Sequence, residues 1–267
     1  MAKILKLDPF HSDKIWGYEK WNLSTHRNGN STIDGKELID VLGSDLPVLI
    51  KIIKANEALS VQVHPGDEYS RKYENDNGKT ECWYILDAKE GASLICGIKD
   101  GLDKESFSKI IDDNKIEEYL EKIEVKKGDM IYIPAGTVHA IEGGLKILEV
   151  QQSSDVTYRM YDWGRDREMH IEKSLEVIDY KKENKGGKIE NFTKLETPYF
   201  TTEKIDVDGE YKDLTTNGFH SYTVISGQGT VSCEGESVNL ADEETVYIKE
   251  NCEYTISGKL SLIKTYV

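Results

Sequence analysis

Residues 128–139 read Gly128-Asp129-Met130-Ile131-Tyr132-Ile133-Pro134-Ala135-Gly136-Thr137-Val138-His139. Gly128-Asp129 is a tight-turn pair, Met130 to Ile133 a short apolar strand, and Pro134 with Gly136 a second turn, so His139 emerges on the strand that follows. The imidazole is thereby set on a rigid barrel wall. Upstream stand its complements: Gln62 and His64 in Leu59-Ser60-Val61-Gln62-Val63-His64-Pro65, then Glu81 in Gly78-Lys79-Thr80-Glu81-Cys82-Trp83. Alternate strand residues share a face, so Gln62 and His64 point one way while Val61 and Val63 point the other. Two histidines, a carboxylate and an amide make a metal site.

The 128–139 string resembles the second sequence box of the cupin superfamily, small jelly-roll barrels that hold a metal inside. Four strings narrow the resemblance: Gln62-Val63-His64-Pro65, Lys79-Thr80-Glu81-Cys82-Trp83-Tyr84, Gly136-Thr137-Val138-His139-Ala140 and Ser154-Asp155-Val156-Thr157-Tyr158-Arg159. In that order they resemble the successive signatures of the type I mannose-6-phosphate isomerases, and Lys14-Ile15-Trp16-Gly17 fits the same family. The resemblance spans roughly residues 8 to 170. The chain is short for the family, with little room for a large helical domain, which suggests its compact bacterial branch.

The resemblance implies an aldose–ketose isomerase that interconverts mannose 6-phosphate and fructose 6-phosphate through a cis-enediol. Its cofactor would be Zn(2+), one per chain, held by Gln62, His64, Glu81 and His139. Zinc suits a reaction without redox change better than iron, because a Lewis acid helps most where negative charge develops on the sugar's O1 and O2. Glu149 stands ten residues before Arg159, the position proposed for the family's base; Asp155 and Lys79 compete for that role. Arg159 would offset the enediolate or hold the phosphate. Ser60 resembles the family's substrate-contacting serine.

A formal net charge of −15 argues against nucleic acid or an anionic membrane as partner. A phosphorylated sugar is compatible with that charge, since a few converging cations hold one phosphate. Lys51, in Val48-Leu49-Ile50-Lys51-Ile52-Ile53, is a candidate for such a positive island, as are Lys79 and Arg159; each could equally be a solvated surface charge. No window approaches the apolar length that spans a bilayer, and nothing near Met1 resembles a leader, so a cytoplasmic enzyme is expected. The four cysteines, Cys82, Cys96, Cys233 and Cys252, have no Cys-x-x-Cys spacing and are expected to be free thiols. Strand alternation sends Cys82 to the face opposite Glu81. The sequence sets no oligomeric state.

Along the chain the pattern is mainly β, predicting two cupin-type jelly-roll barrels. Strands are expected at residues 46–53, 58–64, 80–87, 92–97, 130–133 and 145–152, separated by Gly, Asp or Asn turns. Within the catalytic domain, residues 1–180, the charged stretch 102–123 predicts a helical insert of one or two helices: Ile116, Leu120 and Ile123 recur at helical spacing, and Asn114 with Glu117 resembles an N-cap box. A further helix is expected within 169–180. Residues 181–190 are polar and contain Gly186-Gly187, which predicts a linker. Residues 190–267 then read as a second, degenerate cupin without metal ligands, with strands at 222–225, 230–233, 244–248 and 260–267 and a turn at Ser226-Gly227-Gln228-Gly229. His220 stands alone there and reads as packing.

Two other function classes share these residues. A cupin dioxygenase uses similar ligands but commonly has a histidine where Gln62 stands, and a non-catalytic sugar-binding cupin need not keep Glu149, Asp155 and Arg159 together.

Overall fold

A computed structural model describes residues 2–216 and 218–267. The 128–139 string folds as its residues dictate. Gly128 donates its N–H to the Ile85 carbonyl at 2.9 Å, Met130–Ile133 is a strand, and Thr137 N–H bonds the Pro134 carbonyl at 3.1 Å to close the second turn. Gly136 is required at that turn: its φ is +88°, and a Cβ there would lie 3.0 Å from Cβ of Asp179. The strand His139–Ile141 follows, buried throughout.

The chain divides into two compact units. One comprises Asp13–Glu19 and Ile53–Glu190 and carries the string. One of its sheets runs in the order Gly187–Ile189, Met130–Ile133, Glu81–Ala88, Leu145–Gln152 and Val48–Ala55, whose last three residues belong to this unit. A second sheet runs Leu120–Glu124, Ser93–Ile98, His139–Ile141, Val61–Val63 and Tyr158–Tyr161. Trp83, Ile85, Ile131, Ile133 and Ile147 of the first sheet pack with Leu94, Cys96 and Ile141 of the second in one apolar cluster. Val61, Val63, Ile95, Ala140 and Met160 face the other way, against Phe107 and Leu175 of the helices Lys104–Asp112 and Ile171–Val177. The helices cover the outer face of that second sheet, which leaves its inner face for polar chemistry.

The other unit comprises Lys20–Ile52, Asn191–Val267 and the N-terminal residues up to Ser12. Its sheet runs Ile4–Leu7, Thr245–Ile248, His220–Cys233, Cys252–Tyr266, Thr201–Thr215 and Lys194–Glu196, with Glu236–Leu240 added on His220–Cys233. The N-terminal strand Ile4–Leu7, expected in the same domain as the metal ligands, thus pairs with Thr245–Ile248. Among the described residues every sheet in the chain is an open path.

Several expectations are corrected. The turn at Ser226–Gly229 does not form; His220–Cys233 is one continuous strand. Gly227 serves close strand approach instead, since a Cβ there would sit 2.3 Å from the Lys259 carbonyl oxygen. Cys233 and Cys252 are joined as a disulfide, whereas Cys82 and Cys96 are free and buried. The stretch 102–123 holds one α-helix, Lys104–Asp112, then a 3-10 turn Ile116–Tyr119 and a strand Leu120–Glu124. The capping box is Asp103 with Ser106, and Asn114, at φ +54°, follows a helix rather than opening one. Leu120 and Ile123 would share a helix face, but as strand residues three apart they go to opposite faces: Leu120 packs beside Phe107, Ile123 against the cluster of Trp83. The expected linker is tied down too, with Gly187–Ile189 paired to Met130–Tyr132 and Lys188 Nζ 2.7 Å from Asp129.

Candidate metal and substrate site

Cross-strand register assembles the site. His139 lies opposite Gln62, and Gln62 opposite Arg159, so the three form a row across the inner face of the second sheet. In the first sheet Glu81 lies opposite Gln151 and Trp83 opposite Glu149. Cys82 points to the other face, and burial pushes its thiol pKa up.

The two imidazoles are oriented by the main chain. His64 Nδ1 lies 2.8 Å from the Val156 carbonyl, and His139 Nδ1 lies 2.8 Å from the Thr137 carbonyl. A carbonyl only accepts, so both Nδ1 atoms carry the hydrogen and both Nε2 atoms present lone pairs. Those two lone-pair nitrogens are 3.1 Å apart. Glu81 Oε1 is 3.4 Å from His139 Nε2, and its Oε2 is 3.7 Å from His64 Nε2. Oε1 is buried without a hydrogen-bond donor. Burial pushes His139 down to about 4, even though the Thr137 carbonyl favours its proton, so its ring is neutral at neutral pH.

Converging acceptors call for positive charge: the Lys79 ammonium supplies it on one side, 2.9 Å from Glu81 Oε2 and 3.1 Å from His64 Nε2, while Glu81 Oε1, facing His139 Nε2, has no donor. Ligand atoms about 2.0–2.1 Å from a tetrahedral zinc ion are about 3.4 Å from one another, and the separations of 3.1, 3.4 and 3.7 Å bracket that value. The donor set therefore fits a metal ion. Gln62 lies beside it, with Nε2 3.3 Å from His139 Nε2 and Oε1 accepting from Ser60 Oγ at 3.3 Å. A half-turn of this amide would present Oε1 as a ligand and let Nε2 donate to Ser60.

Lys79 is buried, 2.9 Å from Glu81 Oε2, 3.1 Å from His64 Nε2 and 4.0 Å from Glu149 Oε1. Burial is the largest influence and opposes its charge, but Glu149 and Glu81 outweigh it and raise the pKa above the ordinary lysine value. Glu149 is also buried, and its Oε2 accepts from Trp83 Nε1 at 3.0 Å. Ser60 is buried and accepts from Arg159 Nε at 3.2 Å. The half-buried Arg159 further donates through Nη1 to the Glu168 carbonyl at 2.7 Å. Asp155, by contrast, is exposed, although its charge reaches Lys79. Lys51 belongs to the other unit, where it is buried with its ammonium 4.6 Å from the Trp21 ring centroid.

Sequence reasoning missed the surroundings of Arg159. Arg165 and Arg167 clasp the buried Asp162, the latter by two bonds of 2.7 and 2.6 Å. Three arginines between residues 159 and 167, interleaved with Asp162 and Asp166, were a visible signal of a local ion-pair cluster. Trp83 gave no such signal, because its partner lies 66 residues away in sequence.

Comparison with known proteins agrees with this geometry. Residues 18–100 match the type I phosphomannose isomerase catalytic domain, and residues 188–267 match the mannose-6-phosphate isomerase cupin domain. A mannose-6-phosphate isomerase of Streptococcus mutans is 34% identical, covering 100% of this chain and 99% of its own. The isomerase ManA of Bacillus subtilis is 37% identical over 83% of this chain and 85% of its own. The crystal structure of a Bacillus subtilis mannose 6-phosphate isomerase superposes with a TM-score of 0.91 at 29% identity, covering 100% of each chain. The apo form from Salmonella typhimurium, at 15% identity, shares the fold with a TM-score of 0.78 over 100% of this chain and 99% of its own. With its cupin-type, mainly β fold and its paired histidines around Glu81, the chain belongs to the type I mannose-6-phosphate isomerase family.

Proposed function

We propose that this protein interconverts mannose 6-phosphate and fructose 6-phosphate, with Gln62, His64, Glu81 and His139 holding one zinc ion per chain. The observation that carries the reading is the facing pair of Nε2 lone pairs of His64 and His139 beside an unpartnered carboxylate oxygen of Glu81. Bound there, a divalent ion supplies a Lewis acid next to two adjacent sugar oxygens, where charge grows in the transition state.

The chain's own residues do the rest. Glu149 takes the proton from C2 on Oε1 while O1 gains one, giving a cis-enediol; return of a proton to C1 with loss of the O2 proton completes the ketose. Lys79 is held protonated by its carboxylate neighbours, which favours Glu149 over Lys79 as the base. Exposure of Asp155 favours Glu149 over it as well. Arg159, oriented by Ser60, offsets the enediolate or holds the phosphate. The two units correspond in this reading to two cupin-type jelly-roll barrels, the one with residues 190–267 carrying no metal. No helix among the described residues is long and apolar enough to cross a membrane, which fits work in the cytoplasm on a small phosphorylated sugar.

A coupled assay tests the reading. Mannose 6-phosphate converted to fructose 6-phosphate without O₂ uptake supports it; O₂ consumption, or binding without turnover, would replace it with the dioxygenase or the sugar-binding class.

A further inference from the structure

We infer that Trp83 is a positioning residue for the proton transfer: its indole N–H holds one oxygen of Glu149 so that the other, Oε1, is the atom that takes the proton. The inference rests on the isomerase reading and on Glu149 as the base.

Trp83 and Glu149 stand directly opposite each other on neighbouring strands, in a register continued by Glu81 with Gln151 and Ile85 with Ile147. Both are almost fully buried, at 1% and 3% exposure, so water does not compete for the bond between Trp83 Nε1 and Glu149 Oε2 at 3.0 Å. An indole nitrogen only donates, which gives the bond one polarity and makes Oε2 the poorer site for a second proton. That leaves Oε1, which lies 4.0 Å from the Lys79 ammonium and therefore on the polar side of the pair. The ring itself cannot swing away. It packs among Ile85, Ile131 and Ile147, and meets the His139 ring in a T-shaped arrangement with centroids 5.4 Å apart at 74°.

One aromatic side chain thus touches both the candidate base and a candidate metal ligand, and fixes their relative position. Its contribution is orientation, because the indole neither gains nor loses a proton in the reaction. Proton abstraction from carbon is sensitive to that orientation: a misplacement of about 1 Å costs on the order of 10²-fold in rate. Without the N–H, Oε2 loses this bond and the carboxylate the orientation it imposes.

The test uses Trp83→Phe, the isosteric replacement of Trp83 by β-(3-benzothienyl)alanine, which keeps the ring volume without the N–H, and Glu149→Gln. Turnover, KM, metal content and the kinetic isotope effect from deuterium at C2 of mannose 6-phosphate are measured on each full-length, metal-loaded protein. Loss of one hydrogen bond to a charged group predicts a fall in kcat of about 10- to 100-fold in both Trp83 variants. Metal content and KM are expected to stay at wild-type values, and the isotope effect on kcat to grow as proton transfer becomes limiting. Wild-type kcat in the benzothienyl protein overturns the inference, as does a fall in activity that follows metal loss or a rise in KM. If Glu149→Gln turns over like the wild type, the base assignment is wrong and the positioning falls with it. If Glu149→Gln is inactive while both Trp83 variants are unimpaired, only the positioning fails.

Discussion

His64 and His139 present their Nε2 atoms to each other at 3.1 Å while each gives its Nδ1 hydrogen to a main-chain carbonyl. The tautomers are therefore set by the fold before any ion arrives. Because the groups that orient these two rings are main-chain carbonyls, no side-chain substitution removes them directly.

Removal of either imidazole should empty the site. Wild-type protein is expected to carry roughly one divalent ion per chain, and the His64→Ala and His139→Ala proteins to lose it, as read by elemental analysis. Circular dichroism should remain close to wild type, because the apolar cluster around Trp83, Ile131 and Ile147 does not include the ligands. Unchanged metal content in both variants would refute the ligand assignment.

Arg159 is expected to act in the transition state. Arg159→Ala should lower kcat by about 10²–10³ with a smaller change in KM, the loss typical of one charge-stabilising donor. Arg159→Lys should recover only part of it, since a lysine cannot donate to Ser60 and to the Glu168 carbonyl in the same planar arrangement. A rise in KM with kcat intact would make Arg159 a phosphate anchor that treats substrate and transition state alike.

Acid should weaken the unit that contains His220. Burial, aided by Lys264, pushes His220 down to about 4, against about 6.5 in an unfolded chain. Above about pH 6.5 both states are neutral and no penalty exists. As pH falls, the unfolded state takes up a proton that the folded state refuses, so stability declines until about pH 4, where the penalty levels off. Urea midpoints of wild-type and His220→Asn protein measured from pH 7 to pH 4 check this: the wild type should show the steeper decline, and parallel curves would contradict it.

The helix Lys104–Asp112 depends on its cap. Asp103 Oδ1 accepts from Ser106 N at 2.8 Å, and Asp103→Ala should cost about 1 kcal/mol, read as a lower denaturation midpoint with metal content unchanged.

Much of this was legible in the sequence where one residue type had one physical use. Met130–Ile133 and Leu145–Gln152 are strands with the bounds their apolar runs suggest. The placement of Gln62 and His64 against Val61 and Val63 follows from strand alternation alone. Elsewhere the same signal had two causes. Ile116, Leu120 and Ile123 carry helical spacing, but the sheet edge at Ser93–Ile98 recruits Leu120–Glu124 as a strand, and long-range pairing overrides local period. Gly227 and Gly229 read as a turn because glycine permits one; here they make room for the backbone of residues 257 to 260. The partnership of Trp83 with Glu149 depends on which strands pair, which the order of residues does not disclose.

The most direct test of the whole account is activity against metal loading. Chelator-treated protein, titrated with zinc in the presence of mannose 6-phosphate, should show isomerisation rising from background to a plateau at about one equivalent per chain, the loading of a single catalytic zinc site. Full isomerase activity in metal-free protein, or none at any loading, would contradict it.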